Sequence, residues 1–228
     1  MLAVDESVGP DDLSVDDGVF LVRLAREAVE KYLKEGKVFR PPQNTPAKLM
    51  LKGMSFVTIR KLIFDKYELR GCIGYLHPIE PLALNVVNAA IAAAVEDPRF
   101  NPMSEVELNS VIFEVSVLST PKTLVSKGWD LINEVKVGVD GLVIEYGVNK
   151  GLLLPEVPIE YCWDGETFLS ETCLKAGLPP DCWLHPRVKV QKFNAAVFKE
   201  LRPHGDVVMV DLLSEYRRNC GHIANPQQ

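Results

Sequence analysis

The run "SVIFEVSVLS", Ser110 to Ser119, puts the tightest constraint on how this chain can fold. Successive side chains of a strand point to opposite faces, so Val111, Phe113, Val115 and Val117 share one side and Glu114 and Ser116 the other. That alternation predicts an antiparallel strand with one face on a core. Other stretches carry the same chemistry. "MSFVTIRKLIF" (Met54 to Phe64) is rich in β-branched and aromatic residues, and "DKYE" can turn it back into "LRGCIGYL" as a hairpin. "VGVDGLVIEYGVNKGLLLPEV" (Val137 to Val157) places two turn signals, Asp140-Gly141 and Asn149-Lys150-Gly151, between apolar runs. "RVKVQKFNAAVF" (Arg187 to Phe198) is another strand pattern.

Helical spacing is confined to the gaps between these runs. From Ser14 to Glu35, the residues Leu21, Leu24, Ala25, Ala28, Val29 and Tyr32 form one apolar stripe, with Gly36 as terminator. "PLALNVVNAAIAAAV" (Pro81 to Val95) reads as a buried helix, and Ser104 and Glu107 stand in capping-box positions. Asp164 can cap a helix through Ala176, closed by Gly177 and followed by Pro179 and Pro180. "DLLSEYRRN" can form a short last helix. Strands drawn from distant parts of the chain, with few β-α-β alternations, predict an α+β fold built on antiparallel sheet.

Composition narrows the function classes. The 228 residues carry a net charge of −6, and the lysines and arginines are scattered, so no nucleic-acid surface is expected. The most apolar run contains Asn85 and Asn88 and falls short of the roughly 18 apolar residues of a membrane span, so no membrane partner is expected either. The acidic start lacks the basic-then-apolar order of a signal peptide. Five cysteines at irregular spacing, an odd count, point to reduced thiols and a cytoplasmic protein.

"YELRGCIGYLHP", residues 67 to 78, holds the candidate chemistry. Cys72 lies between Gly71 and Ile73, with Arg70 before and Gly74 after, although glycine weakens a strand. Such a thiol is a candidate nucleophile: the glycines would let a substrate approach, and Arg70 could hold an anion or lower the thiol pKa. The plainer alternative is a cysteine packed as a small hydrophobe. Glu114 sits either on a solvated outer face or under cover, where it would need a partner such as Arg70 or Arg99. Asp97 precedes a proline in a turn. Cys182 and His185 form a C-x-x-H pair, with Cys162 and Cys173 upstream and Cys220 and His222 near the C-terminus, but structural zinc takes two close pairs, so no metal or cofactor is expected. "RGCIG" lacks the Lys-Ser/Thr of a phosphate-binding loop.

"LRGCIG" (Leu69 to Gly74) resembles the signature hexapeptide of the AMMECR domain family, and "DPRF" (Asp97 to Phe100), "EVSVLSTP", "GLLLPEV" and "CLKAGLPPDCW" follow in the family's order. The resemblance runs roughly from the first helix to Phe198, identifying an uncharacterised archaeal- or bacterial-type member. It implies two subdomains of unequal size, each an antiparallel sheet flanked by helices, with an interdomain cleft lined by the hexapeptide. The larger part would hold both chain ends, and residues 1–13 and about 199–228 would be peripheral. The family often has Gly-Trp where this chain has Cys162-Trp163, which makes Cys162 incidental. The resemblance further implies a pathway shared with Memo-type and radical SAM proteins, without naming a reaction. Two readings follow. Either the cleft is an enzyme site for a large substrate, with Cys72 as nucleophile, Arg70 orienting an anionic group and Glu114 or Asp97 handling protons. Or the same cleft, walled by Leu69, Arg70, Gly71, Cys72, Ile73, Gly74, Asp97 and Arg99, is a binding module for a peptide or protein partner.

Overall fold

The structure is a computed structural model, and it describes residues 7–64 and 66–221. Helix α1 (Val15–Glu35) begins where the sequence caps it: the Asp17 amide donates to Ser14 Oγ, and the Asp17 carboxylate accepts the Ser14 amide at 2.7 Å. It stops at Gly36, whose φ of 67° is the left-handed conformation that glycine adopts without strain. Its predicted stripe is buried from Leu21 to Val29.

Strands β1 (Met54–Ile63) and β2 (Lys66–Tyr75) form the expected hairpin. Ile63 pairs with Lys66, so Lys66, Tyr67 and Glu68 of the predicted turn "DKYE" already belong to β2, and position 65 lies outside the described residues. Helix α2 (Leu82–Val95) is apolar nearly all round and buried accordingly, and its Asn85 is satisfied by the Ser55 amide and hydroxyl. Strand β3 (Val111–Leu118) pairs with β1. It was expected to be half-buried, but every residue of it is buried, Glu114 at 4% exposure included, because β3 is an interior strand with both faces covered.

The chain continues through β4 (Lys122–Thr123), α3 (Leu131–Glu134), β5 (Asp140–Tyr146), β6 (Asn149–Leu153), α4 (Val157–Glu160) and α5 (Gly165–Lys175). The β5–β6 turn is Gly147-Val148, not either of the two predicted signals. Those glycines serve packing instead. A Cβ at Gly141 would lie 2.3 Å from the Phe193 ring, and one at Gly151 2.4 Å from the Ala176 backbone. Then come β7 (Lys189–Glu200), β8 (Val207–Met209) and α6 (Leu212–Cys220).

Two compact units result. The first takes the chain through Leu118 together with Ala196–Val210; the second takes Ser119–Ala195 and the chain from Asp211 on. In the first, β2, β1, β3 and the end of β7 follow one another, with β8 on β7. Leu21, Ala25 and Val29 of α1 and Val86, Ala90 and Ala93 of α2 cover Val57, Ile59, Phe113 and Val115. In the second, the start of β7 pairs with β4 and β5, and β5 with β6. Phe168, Leu169 and Cys173 of α5 pack there with Leu142, Ile144 and Val190.

Three expectations change here. The last helix, α6, belongs to the second unit, whereas the segment after Phe198 was expected with the larger part. The segment after Phe198 is not peripheral: Glu200 is fully buried, accepts Arg26 Nε at 2.8 Å and the Phe113 amide at 3.0 Å, and β8 extends the sheet. The cysteines are not all reduced thiols. Cys173 bridges Cys182 and Cys162 bridges Cys220, so Cys162 is not incidental and the odd count reflects two pairs plus Cys72. Such bridges are usual outside the cytosol, but hyperthermophile intracellular proteins also carry them, so they do not fix a compartment. No described helix is long and apolar enough to cross a membrane.

Candidate functional site

The two glycines around Cys72 have separate causes. A Cβ at Gly71 would stand 2.0 Å from the Ala93 carbonyl oxygen, so glycine is what lets α2 lie against β2. A Cβ at Gly74 would stand 2.2 Å from the Phe56 ring, which lies over that position. Both close approaches come from within the first unit. Ile73, between them, packs on the core beneath the helices.

Strand β2 ends the strand order, so among the described residues its outer backbone edge has no strand partner. At Cys72 that edge is filled by the "DPRF" turn. The Cys72 amide donates to Asp97 Oδ2 at 2.8 Å, and the Cys72 carbonyl accepts from Arg99 Nη2 at 3.3 Å. Two side chains thus take the place of a neighbouring strand. Arg99 grips Asp97 through Nε to Oδ1 (2.9 Å) and Nη2 to Oδ2 (2.7 Å), the fork geometry of a strong ion pair. Burial pushes the Asp97 carboxyl up, but the Arg99 guanidinium and the amides of Cys72 and Arg99 outweigh it and hold the pKa at about 2. Asp97 is therefore a fixed anion at neutral pH. The same pairing raises the Arg99 pKa, and the nearby Cys72 sulfur acts in the same direction.

Arg70 occupies a bulge. Ile59 pairs with Gly71 and Arg60 with Leu69, so Arg70 has no opposite number, and a bulge re-aims the side chain it carries. Its guanidinium holds Glu107 from two nitrogens, at 2.9 and 3.1 Å, and reaches the Asn101 carbonyl at 3.0 Å. Lys61 adds a third contact to Glu107 at 2.9 Å. Arg70 foremost, with Lys61 and the Ser104 amide, brings the Glu107 pKa down to about 2. The Phe100 ring has Arg70 at 5.8 Å and Arg99 at 5.6 Å from its centroid.

Cys72 itself is half-buried and outside any disulfide. Thr58 Oγ1 donates to its sulfur at 3.3 Å. Thr58 pairs with Cys72 on one side and Glu114 on the other, so thiol, hydroxyl and carboxylate form a row across three strands on the face away from α1 and α2. Arg60, two residues along β1, lies 3.8 Å from Glu114 Oε2. The covered carboxylate thus has Arg60 for an ionic neighbour, where Arg70 or Arg99 was expected. Farther along the same face, Leu62 and Leu69 are exposed at 42% and 37%, beside Tyr67, and Phe64 at the tip is 97% exposed. His77 is exposed in the turn after β2.

Sequence reasoning named Arg70, Cys72, Asp97, Arg99 and Glu114 separately, read Glu107 only as a helix cap, and missed Thr58 and Arg60. Their signal exists only in the strand register, which places Thr58 between Cys72 and Glu114. Cys173 and Cys182 are spent in a bridge, His222 lies outside the described residues, and among the described residues no group of three or more His, Cys, Asp or Glu is placed to hold a metal ion.

Comparison with known proteins agrees with this architecture. The crystal structure of an uncharacterised protein, PH0010, from Pyrococcus horikoshii is 46% identical, with a TM-score of 0.84 over 87% of this chain and 98% of that one. A protein from Thermofilum pendens is 51% identical over 203 residues, covering 86% of this chain and 95% of the relative. One from Thermococcus onnurineus is 50% identical over 191 residues, covering 83% and 93%. The family model described as AMMECR1 matches residues 22–198, from within α1 to within β7, and the chain belongs to the AMMECR1 family.

Proposed function

We propose that the first unit carries a thiol-dependent site, in which Cys72 acts as a thiolate toward an electrophilic group on a large, partly apolar substrate. One observation carries the reading: the Thr58 hydroxyl donates to Cys72 Sγ at 3.3 Å. A donor on sulfur favours the charged form, and the Arg99 guanidinium, on the carbonyl of the same residue, acts in the same sense. A cysteine activated in this way needs no separate base, which fits a site where Asp97, the carboxylate on the Cys72 amide, is already a fixed anion. Leu62, Tyr67 and Leu69 would hold an apolar segment of a protein or peptide alongside the thiol, on the same face of the hairpin.

The second reading is a binding face without chemistry. It is favoured by how fully the charged groups are engaged: Arg70 with Glu107, and Arg99 with Asp97, hold the strand edge rather than a ligand. Iodoacetamide labelling of native protein between about pH 5 and pH 9, mapped by cysteine, separates the two, since an ordinary thiol has a pKa near 8.5. A thiol site requires Cys72 to label readily near pH 6, and Thr58→Val or Arg99→Gln to slow it several-fold there. Labelling that rises about tenfold per pH unit up to pH 8, as for a free cysteine, and is indifferent to both substitutions, sinks the nucleophile and leaves the binding face.

A further inference from the structure

The opposite face of β2 borders a cavity. Tyr75 ends the strand on the side that takes α2, the side on which Gly71 and Ile73 also point. Its ring helps to wall a cavity of about 410 Å3, within the range of small-molecule sites, which runs from about 300 to 1,000 Å3. Ile91, on α2, gives it a buried apolar floor, and Tyr32 from the end of α1 adds a second aromatic wall. The charged side chains at its lining are two carboxylates, Glu80 and Glu96, and among the described residues no lysine, arginine or histidine lines it.

Two features of these carboxylates ask for a cation. Glu80 is oriented by Asn88 Nδ2, which donates to both of its oxygens at 3.1 Å, and among the described residues neither Glu80 nor Glu96 has a basic partner. Glu96 is also in the wrong place for helix stability. It caps the C-terminal end of the 14-residue helix α2, the negative pole of the helix dipole, and no basic residue stands in the last turn to offset it. A sequence that breaks a local rule without local compensation is best explained by function. The Tyr75 phenol reports the same field: burial pushes its pKa up, and the charges of Glu96 and Glu80 push it the same way.

We propose that this cavity binds an alkylammonium group, its charge between Glu80, Glu96 and the faces of Tyr32 and Tyr75, and its methylenes on Ile91. Aromatic faces attract such cations, and the apolar floor distinguishes an alkylammonium from a hydrated metal ion. The ligand is either a free polyamine or the lysine side chain of a protein, which share this chemistry.

Isothermal titration of the full-length protein with spermidine, N-acetyl-lysinamide, hexylammonium, hexanol and magnesium chloride tests the assignment. The expected result is saturable amine binding that Glu96→Gln weakens about tenfold, as for loss of one close charge, while Glu27→Gln, an exposed acid of α1 paired with Lys31, leaves it unchanged. Glu96→Gln should also raise the melting temperature, because it removes a charge from the wrong end of a helix; a merely structural glutamate would lower it. Tighter binding of spermidine marks a polyamine site, and equal binding of N-acetyl-lysinamide marks a lysine site. The proposal is overturned if no amine binds, if hexanol binds as well as hexylammonium, if magnesium binds more tightly than the amines, or if Glu27→Gln weakens binding as much as Glu96→Gln.

Discussion

The two units solve the same problem with different means. In the first, two long helices cover one face of a sheet, and residues such as Leu21, Val57, Ile59, Phe113 and Phe198 are fully buried. Its one cysteine stands outside any bridge. The second is assembled from short pieces, among them the four-residue helices α3 and α4 and the two-residue strand β4, and it carries both disulfides. Small cores gain most from covalent closure. Cross-links sit where burial is thin, and the region with ample burial can leave a thiol for other uses.

The sharpest way to break that contrast is to attack the first unit at the Arg26–Glu200 pair, both of whose side chains are buried. Glu200 accepts from Arg26, Arg23 and the Phe113 amide, and Arg26 also donates to the carbonyls of Leu108 and Val111. Glu200→Ala strands the buried guanidinium and should cost about 3–5 kcal/mol. Tryptophan emission isolates the other unit, because Trp129, Trp163 and Trp183 all lie between Ser119 and Ala195. In urea, the far-ultraviolet dichroism of Glu200→Ala should therefore collapse before its tryptophan signal does. Coincident transitions would mean the units unfold as one, and the contrast would be one of construction only.

Next in size are the bridges. Cys162–Cys220 closes a separation of 58 residues and Cys173–Cys182 one of 9, so chain entropy assigns them about 4 and about 3 kcal/mol. Removing the first by the double substitution Cys162→Ser, Cys220→Ser should lower the tryptophan-detected midpoint more than removing the second. If dithiothreitol leaves that midpoint where it was, the second unit does not depend on cross-links.

Much of this contrast was legible in the sequence on one side and little on the other. The first unit has long elements with strong periodic signals: Ser14 and Gly36 bracket α1 as read, and the run Pro81 to Val95 is α2 almost to the residue. In the second, turn signals misled, because Gly141 and Gly151 are there for close packing and the true turn is Gly147-Val148. Disulfide pairing is invisible to local pattern, since Cys162 and Cys220 meet only after folding. At the candidate site the hexapeptide was conspicuous but its surroundings were not. Asp97 and Arg99 filling a strand edge, Thr58 beside the thiol, and Arg70 displaced to Glu107 by a bulge all depend on register. A one-residue slip would change every one of them.

Acid pH gives a smaller effect; Glu145 and Asp164 of the second unit are also held below their ordinary values, but the carboxyls brought down to about 2 lie in the first unit. Asp97 and Glu107 titrate at about 2, below their ordinary 3.8 and 4.5, so each adds stability that is complete above its ordinary value and lost as pH falls toward 2. For Asp97 that amounts to at most about 2 kcal/mol. Asp97→Asn should lower stability at pH 7 and flatten the acid limb below pH 4. The wild-type curve should keep falling through that window, and a parallel mutant curve would mean that the Arg99–Asp97 pair contributes nothing to the strand edge.

The smallest effect is at the thiol. Cys72 is half-buried, so Cys72→Ser removes little packing and should cost about 1 kcal/mol or less. What it should change is the thiol count. With a disulfide-exchange reagent the native protein should titrate one thiol, the substituted protein none, and the reduced, unfolded wild type all five. A native count of three or five would remove one or both bridges from the second unit, leaving it to stand on its short helices and on Phe168, Leu142 and Ile144 alone. A count of one that vanishes with Cys72→Ser, at almost unchanged stability, separates the cysteine's availability from its packing. In that case the first unit holds its thiol at little cost to its fold, which a site for chemistry requires and a packing residue does not.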